Sequence, residues 1–121
     1  GNIYARMKLS GAYVTTSTYD YVWHDNATAV TNQPQISMGV GINSGSNAIA
    51  EISLSVKNPS SATQPKLIEF KVLSSTGSSL ITNDSKIGFG MEAASSALEG
   101  IRIYPSTGTI SGNFKLYGVT G

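Results

Sequence analysis

Ile3-Tyr4-Ala5-Arg6-Met7-Lys8-Leu9-Ser10 opens the chain with strict alternation: Ile3, Ala5, Met7 and Leu9 are apolar, and Tyr4, Arg6, Lys8 and Ser10 stand between them. Successive side chains of a β-strand point to opposite faces, so this stretch reads as a half-buried strand. The same period recurs along the whole chain. Tyr19, Tyr21 and Trp23 share one face, with Asp20, Val22 and His24 on the other. Ile36, Met38, Val40 and Ile42 alternate with Ser37, Gly39 and Gly41, and Ile52, Leu54 and Val56 with Ser53 and Ser55. Further on, Ile68, Phe70 and Val72 alternate with Glu69 and Lys71, and Ile87, Phe89 and Met91 with Gly88 and Gly90. Ile101 and Ile103 alternate with Arg102 and Tyr104, and Phe114 and Leu116 with Lys115 and Tyr117. That makes about eight strands.

Turn-forming clusters separate them: Asp25-Asn26, residues 43–47, Asn58-Pro59-Ser60-Ser61, Ser74-Ser75-Thr76-Gly77, Asn83-Asp84-Ser85 and Pro105-Ser106-Thr107-Gly108. Asn, Gly and Pro supply the positive or fixed φ that tight turns require. Only Met91 to Leu98 has any helical character, and one turn near Glu92 is the most it allows. The reading is all-β: one antiparallel two-sheet β-sandwich over residues 1–121, with jelly-roll-like connections. The chain begins with Gly1 rather than Met, as the C-terminal domain of a longer protein would.

Composition narrows the function. Charged residues are 12% of the 121, about half the usual quarter, so Ser, Thr, Asn, Gln and Gly must solvate the surface. The net charge is +1. Lys57, Lys66, Lys71, Lys86, Arg102 and Lys115 are spread singly along the chain, which argues against nucleic acid as a partner. Cysteine is absent. No run of about 18 apolar residues predicts a membrane-inserted helix.

Catalytic chemistry finds little purchase. His24 is the only histidine, so any imidazole base must use it, and it lies at a strand end between Trp23 and Asp25. No serine sits in a Gly-x-Ser-x-Gly elbow. The seven carboxylates, Asp20, Asp25, Glu51, Glu69, Asp84, Glu92 and Glu99, are dispersed, whereas a glycosidase needs two of them about 5–10 Å apart across a cleft. The sequence therefore predicts no enzyme, no cofactor and no metal. Glycines beside large apolar residues, as in Gly88-Phe89-Gly90, read as places where a backbone or ring packs close. The aromatic strand is the binding candidate. Tyr19, Tyr21, Trp23 and His24 are the candidate ligand-binding residues, rings being suited to the apolar faces of sugars. Packing in the core or at a subunit interface is the competing reading of Trp23.

One stretch carries a resemblance. Ala97 to Gly118 holds Ile101-Arg102-Ile103, the turn Ser106-Thr107-Gly108, then Ile110-Ser111-Gly112 and Phe114-Lys115-Leu116-Tyr117-Gly118-Val119. It resembles the closing strands of tailed-bacteriophage virion structural proteins of tail-fibre and tail-tip type. Ile52 to Pro59 resembles the same family's strand ending in Asn-Pro, and Tyr19 to Trp23 its early aromatic strand. This chain departs from the pattern in carrying Thr120 and Gly121 beyond the usual end. The resemblance implies a final hairpin from Ile101 to Val119 that buries Ile101, Ile103, Ile110, Phe114 and Leu116. It further implies a place on the virion surface, a homotrimer, contacts with other virion proteins and a host cell-surface glycan as ligand. Host attachment by a tail-fibre or receptor-binding module is the first functional expectation. A capsid decoration or cement protein is the alternative.

Overall fold

The computed structural model describes residues 2–39, 47–80 and 85–118, and every helix or strand among them is a strand. They are β1 (Ile3–Leu9), β2 (Ala12–Tyr13), β3 (Tyr19–Trp23), β4 (Val30–Gln33), β5 (Ile36–Gly39), β6 (Ile49–Lys57), β7 (Lys66–Ser75), β8 (Lys86–Glu92) and β9 (Leu98–Pro105). Two antiparallel sheets face each other as a sandwich. In sheet one, β1 pairs along its length with β9, while its other edge is shared by β5 and β2. Sheet two has the order β4-β3-β8-β7-β6. Of the alternating residues, Val40, Ile42 and Val119 lie outside the described residues, as do turn positions 43–46 and 83–84.

The core forms where the alternation faces inward. Ile3, Ala5, Met7 and Leu9 of β1 and Ile36 and Met38 of β5, from sheet one, form one core with Ile68, Phe70 and Val72 of β7 from sheet two. Residues 93–97, where a helical turn was expected, form no helix, and Glu92 is instead the buried last residue of β8.

β8 departs most from its hydrophobic pattern. Its inward residues are Lys86, Gly88, Gly90 and Glu92, whereas Ile87 and Phe89 point to solvent. The glycines explain this. A Cβ on Gly88 would lie 2.5 Å from the Phe70 ring and from the Val22 carbonyl, and one on Gly90 would lie 2.7 Å from Ile36. The large residues of neighbouring strands fill the space that β8 leaves empty, as the expected close packing at these glycines requires.

The charged ends of β8 and β7 are satisfied individually. Lys66, 0% exposed, donates to the carbonyls of Ser61, Gln64 (2.7 Å) and Ser95. Glu92 accepts from Thr18 Oγ1 at 2.9 Å and from the Ala94 N–H at 3.1 Å. Lys66 thus ties the β6–β7 loop to the β8–β9 loop. Lys66→Met is expected to cost about 2–4 kcal/mol in urea unfolding, because three loop carbonyls lose the one charged donor they share. An unchanged midpoint would show that those carbonyls find water instead.

The first hairpin turns on Ser10 and Gly11, a Ser-Gly pair outside the turn clusters named above. Their φ values, 51° and 84°, are those of a type I′ turn, whose twist matches the strands it joins.

The C-terminal hairpin is corrected. β9 pairs with β1 rather than with residues 110–118, which form no strand. Ile110 packs against the core, but Phe114 is 71% and Leu116 99% exposed. Ser106 is held instead to Asn2, its N–H donating to the Asn2 carbonyl and its hydroxyl accepting from the Asn2 N–H, both at 2.9 Å.

Candidate functional site

The four residues of the aromatic strand have separate fates. Tyr19 is 0% exposed and crosses the core, its hydroxyl accepting from the Met7 N–H and donating to the Val14 carbonyl, both at 2.9 Å. It is a structural tie between the sheets, not a surface ring. Burial above all pushes its phenol up to about 12 from an ordinary 10.0, with the Met7 hydrogen bond opposing and the Glu92 charge adding. The unfolded chain therefore releases this proton at lower pH than the folded one. The resulting stability is whole below about pH 10 and is lost as the pH rises through about 12. Tyrosinate absorbance should accordingly show one phenol ionising only as far-ultraviolet dichroism collapses. A phenol titrating with the others in a folded protein would contradict the burial.

Trp23 points inward and is half-buried. Its indole N–H donates to the Ser37 carbonyl at 2.8 Å, and the Lys86 ammonium stands 4.8 Å from its ring centroid. Lys86 also pairs with Asp25 at 2.6 Å, which draws the Asp25 carboxyl below its ordinary range, the hydrogen bond being the main cause. Tyr21 lies 5.9 Å from Trp23, ring to ring, and burial raises its phenol as well. His24 is exposed, but its Nδ1 accepts from the Ile87 N–H at 3.2 Å. These side chains close one end of the sandwich, and their polar atoms are largely engaged by the protein itself.

A second group, dispersed in sequence, comes together on the outer face of sheet one. Residues alternate along β1 and β9, and the register sets Tyr4 opposite Tyr104, Arg6 opposite Arg102 and Lys8 opposite Gly100. Lys8 is also opposite Tyr13 of β2. The Tyr4 and Tyr104 rings meet edge to face at 5.5 Å. Both guanidiniums approach the Tyr104 ring, Arg6 at 5.2 Å and Arg102 at 4.6 Å from its centroid. Arg6 is further fixed by donating Nε to the Pro34 carbonyl (3.0 Å) and Nη2 to Gln35 Oε1 (3.3 Å). Burial raises the Tyr104 phenol more than the two arginines lower it.

Like charges directly opposite on a sheet are destabilising. Arg6 and Arg102 stand so, with Lys8 beside them, and among the described residues none has a carboxylate within 4.0 Å. Glu99 is close in sequence, but its Oε2 accepts from the Gly11 N–H at 3.0 Å. Gly100 leaves a notch in this face, bordered by the Tyr13 hydroxyl. The pattern of β1 alone placed Tyr4, Arg6 and Lys8 on one face. That Arg102 and Tyr104 join them depends on a pairing between strands almost a chain length apart, which local sequence does not reveal.

The outer face of sheet two is different in kind. Leu67, Leu73, Ile87 and Phe89 are exposed there, and a shallow depression of about 300 Å³ is lined by Ser53, Ser55, Glu69, Lys71 and Ile87 among others. Compared with known protein families, curated proteins and solved structures, the chain has no match.

Proposed function

We propose that this chain is a non-enzymatic surface module of a tailed-bacteriophage virion, of tail-fibre or receptor-binding type, that attaches to an acidic glycan of the host cell. The observation that supports this reading is the unpaired Arg6–Arg102 couple set among Tyr4, Tyr13, Lys8 and Tyr104. An anionic sugar supplies what the couple lacks, a carboxylate or phosphate able to bridge two guanidiniums. The tyrosines offer ring edges and hydroxyls to the rest of the sugar. Nucleic acid fits less well: three cations neutralise few phosphates, and the central ring has guanidiniums where a base would stack. Such a face binds weakly in one copy, and repetition on a virion turns weak contacts into avidity. The virion setting itself rests on the resemblance of Ala97 to Gly118 and on the low surface charge.

The exposed apolar side of sheet two favours one other reading, a decoration or cement protein seated on capsid subunits through Leu67, Leu73, Ile87 and Phe89. Exposed apolar patches commonly mark protein–protein contacts. Binding of the purified domain to bacterial cells and to a glycan array separates the two. Saturable binding to acidic glycans supports attachment. Binding to capsid shells with none to cells or glycans overturns it.

A further inference from the structure

Residues 110–117 have the sequence of a strand and, among the described residues, no strand partner. Ile110, Phe114 and Leu116 alternate with Ser111, Asn113, Lys115 and Tyr117, yet this arm forms no ladder, and Phe114, Leu116 and Tyr117 are among the most exposed large side chains. Solvent-facing phenylalanine and leucine in strand alternation are expected to be covered.

The sandwich has an opening of matching kind. Among the described residues β9 is paired along one edge, with β1, and β6 along one edge, with β7. The Leu98 N–H donates to the Pro59 carbonyl at 2.7 Å, which puts the two free edges on the same side of the molecule. The inward residues there, Ile101 and Ile103 of β9 and Ile52, Leu54 and Val56 of β6, are half-buried, whereas those of β1 and β7 are almost fully enclosed. β9 has 8 residues, the same length as the stretch 110–117. An open edge with half-exposed apolar residues is a template for another strand.

The arm leaves its own opening unfilled: the chain bends at residues 106–108 and returns Ile110 to the core, yet Phe114, Leu116 and Tyr117 beyond it stay exposed. We propose that the arm Ile110–Tyr117 pairs with the free edge of β9 in a second copy of this chain, inserting Phe114 and Leu116 between that copy's β9 and β6. Exchange of an end strand between identical copies gives a closed oligomer without any new surface. The proposal stands whether or not the tyrosine face binds a glycan.

Three measurements on the full chain test it. Sedimentation should give an oligomer, and Phe114→Asp with Leu116→Asp should reduce it to a monomer whose sandwich keeps its thermal melt. In the unsubstituted protein, amides 110–117 should exchange at least about 100-fold more slowly in the oligomer than in dilute monomer. Mixing isotope-labelled with unlabelled copies should give intermolecular contacts between Leu116 and Ile101 or Leu54. A monomer at every concentration overturns the proposal, and so does a monomer with protected arm amides, which would mean that the arm closes on its own β9. An oligomer untouched by the two substitutions overturns it as well, and points to the apolar face of sheet two.

Discussion

Gly88→Val is expected to remove a large share of the protein's stability. The first atom it adds would lie 2.5 Å from both the Phe70 ring and the Val22 carbonyl oxygen. The ring could move only into neighbours that are themselves enclosed, and the carbonyl belongs to the ladder between β3 and β8. Overpacking of this severity, with backbone displacement, costs about 3–5 kcal/mol. A domain of this size has only about 5–15 kcal/mol in total. Gly100→Ala is the matching control: its added carbon would meet nothing closer than 3.6 Å, so stability should change by no more than about 0.5 kcal/mol. Thermal and urea melts of the pair decide the matter. Equal melts would show that β8 does not pack against Phe70 as described.

Arg102→Glu should separate stability from binding. Removing one guanidinium from an anion site deletes a charge-assisted contact worth about 1.5–3 kcal/mol. The new carboxylate would also occupy Arg6 and repel the ligand. Affinity for an acidic glycan should fall by roughly 100-fold or more, at about tenfold for each 1.4 kcal/mol. The fold should gain, because Arg6 acquires an opposite charge directly across the ladder, an exchange worth about 0.2–1 kcal/mol. A variant that melts higher and binds less is the mark of a residue kept for function rather than for stability. A variant that melts lower with binding intact would mean that Arg102 serves the sheet.

The sequence revealed the sandwich wherever hydrophobicity and burial agree. Ile3, Ala5, Met7 and Leu9 of β1, Ile52, Leu54 and Val56 of β6, and Ile68, Phe70 and Val72 of β7 face inward as alternation requires, and Gly88 and Gly90 mark close packing. β8 misleads because its inward face is two glycines between a lysine and a glutamate. The Phe70 ring and Ile36 fill that space from elsewhere, and polar partners satisfy the two charges. Tyr19 reads as one ring of a surface set, since nothing local tells that its hydroxyl bonds the backbone of the opposite sheet. The closing hairpin was misjudged because a period of two fits a strand equally well whether or not its partner lies in the same chain.

The candidate binding face was half legible. Tyr4, Arg6 and Lys8 stand on one side of a strand by alternation alone. Their union with Arg102 and Tyr104 follows from long-range register, and so does the unpaired couple that gives the face its chemistry. Composition counts the charges but cannot show that two of them stand opposite each other.

The most direct measurement of the central claim is a titration of the isotope-labelled domain with an acidic oligosaccharide and its neutral counterpart, followed by amide and arginine side-chain NMR shifts. The account predicts saturable shifts with the acidic sugar only, centred on Tyr4, Arg6, Lys8, Gly100, Arg102 and Tyr104 and weakened by salt. Shifts centred on Trp23 and His24, or none with either sugar, would contradict it.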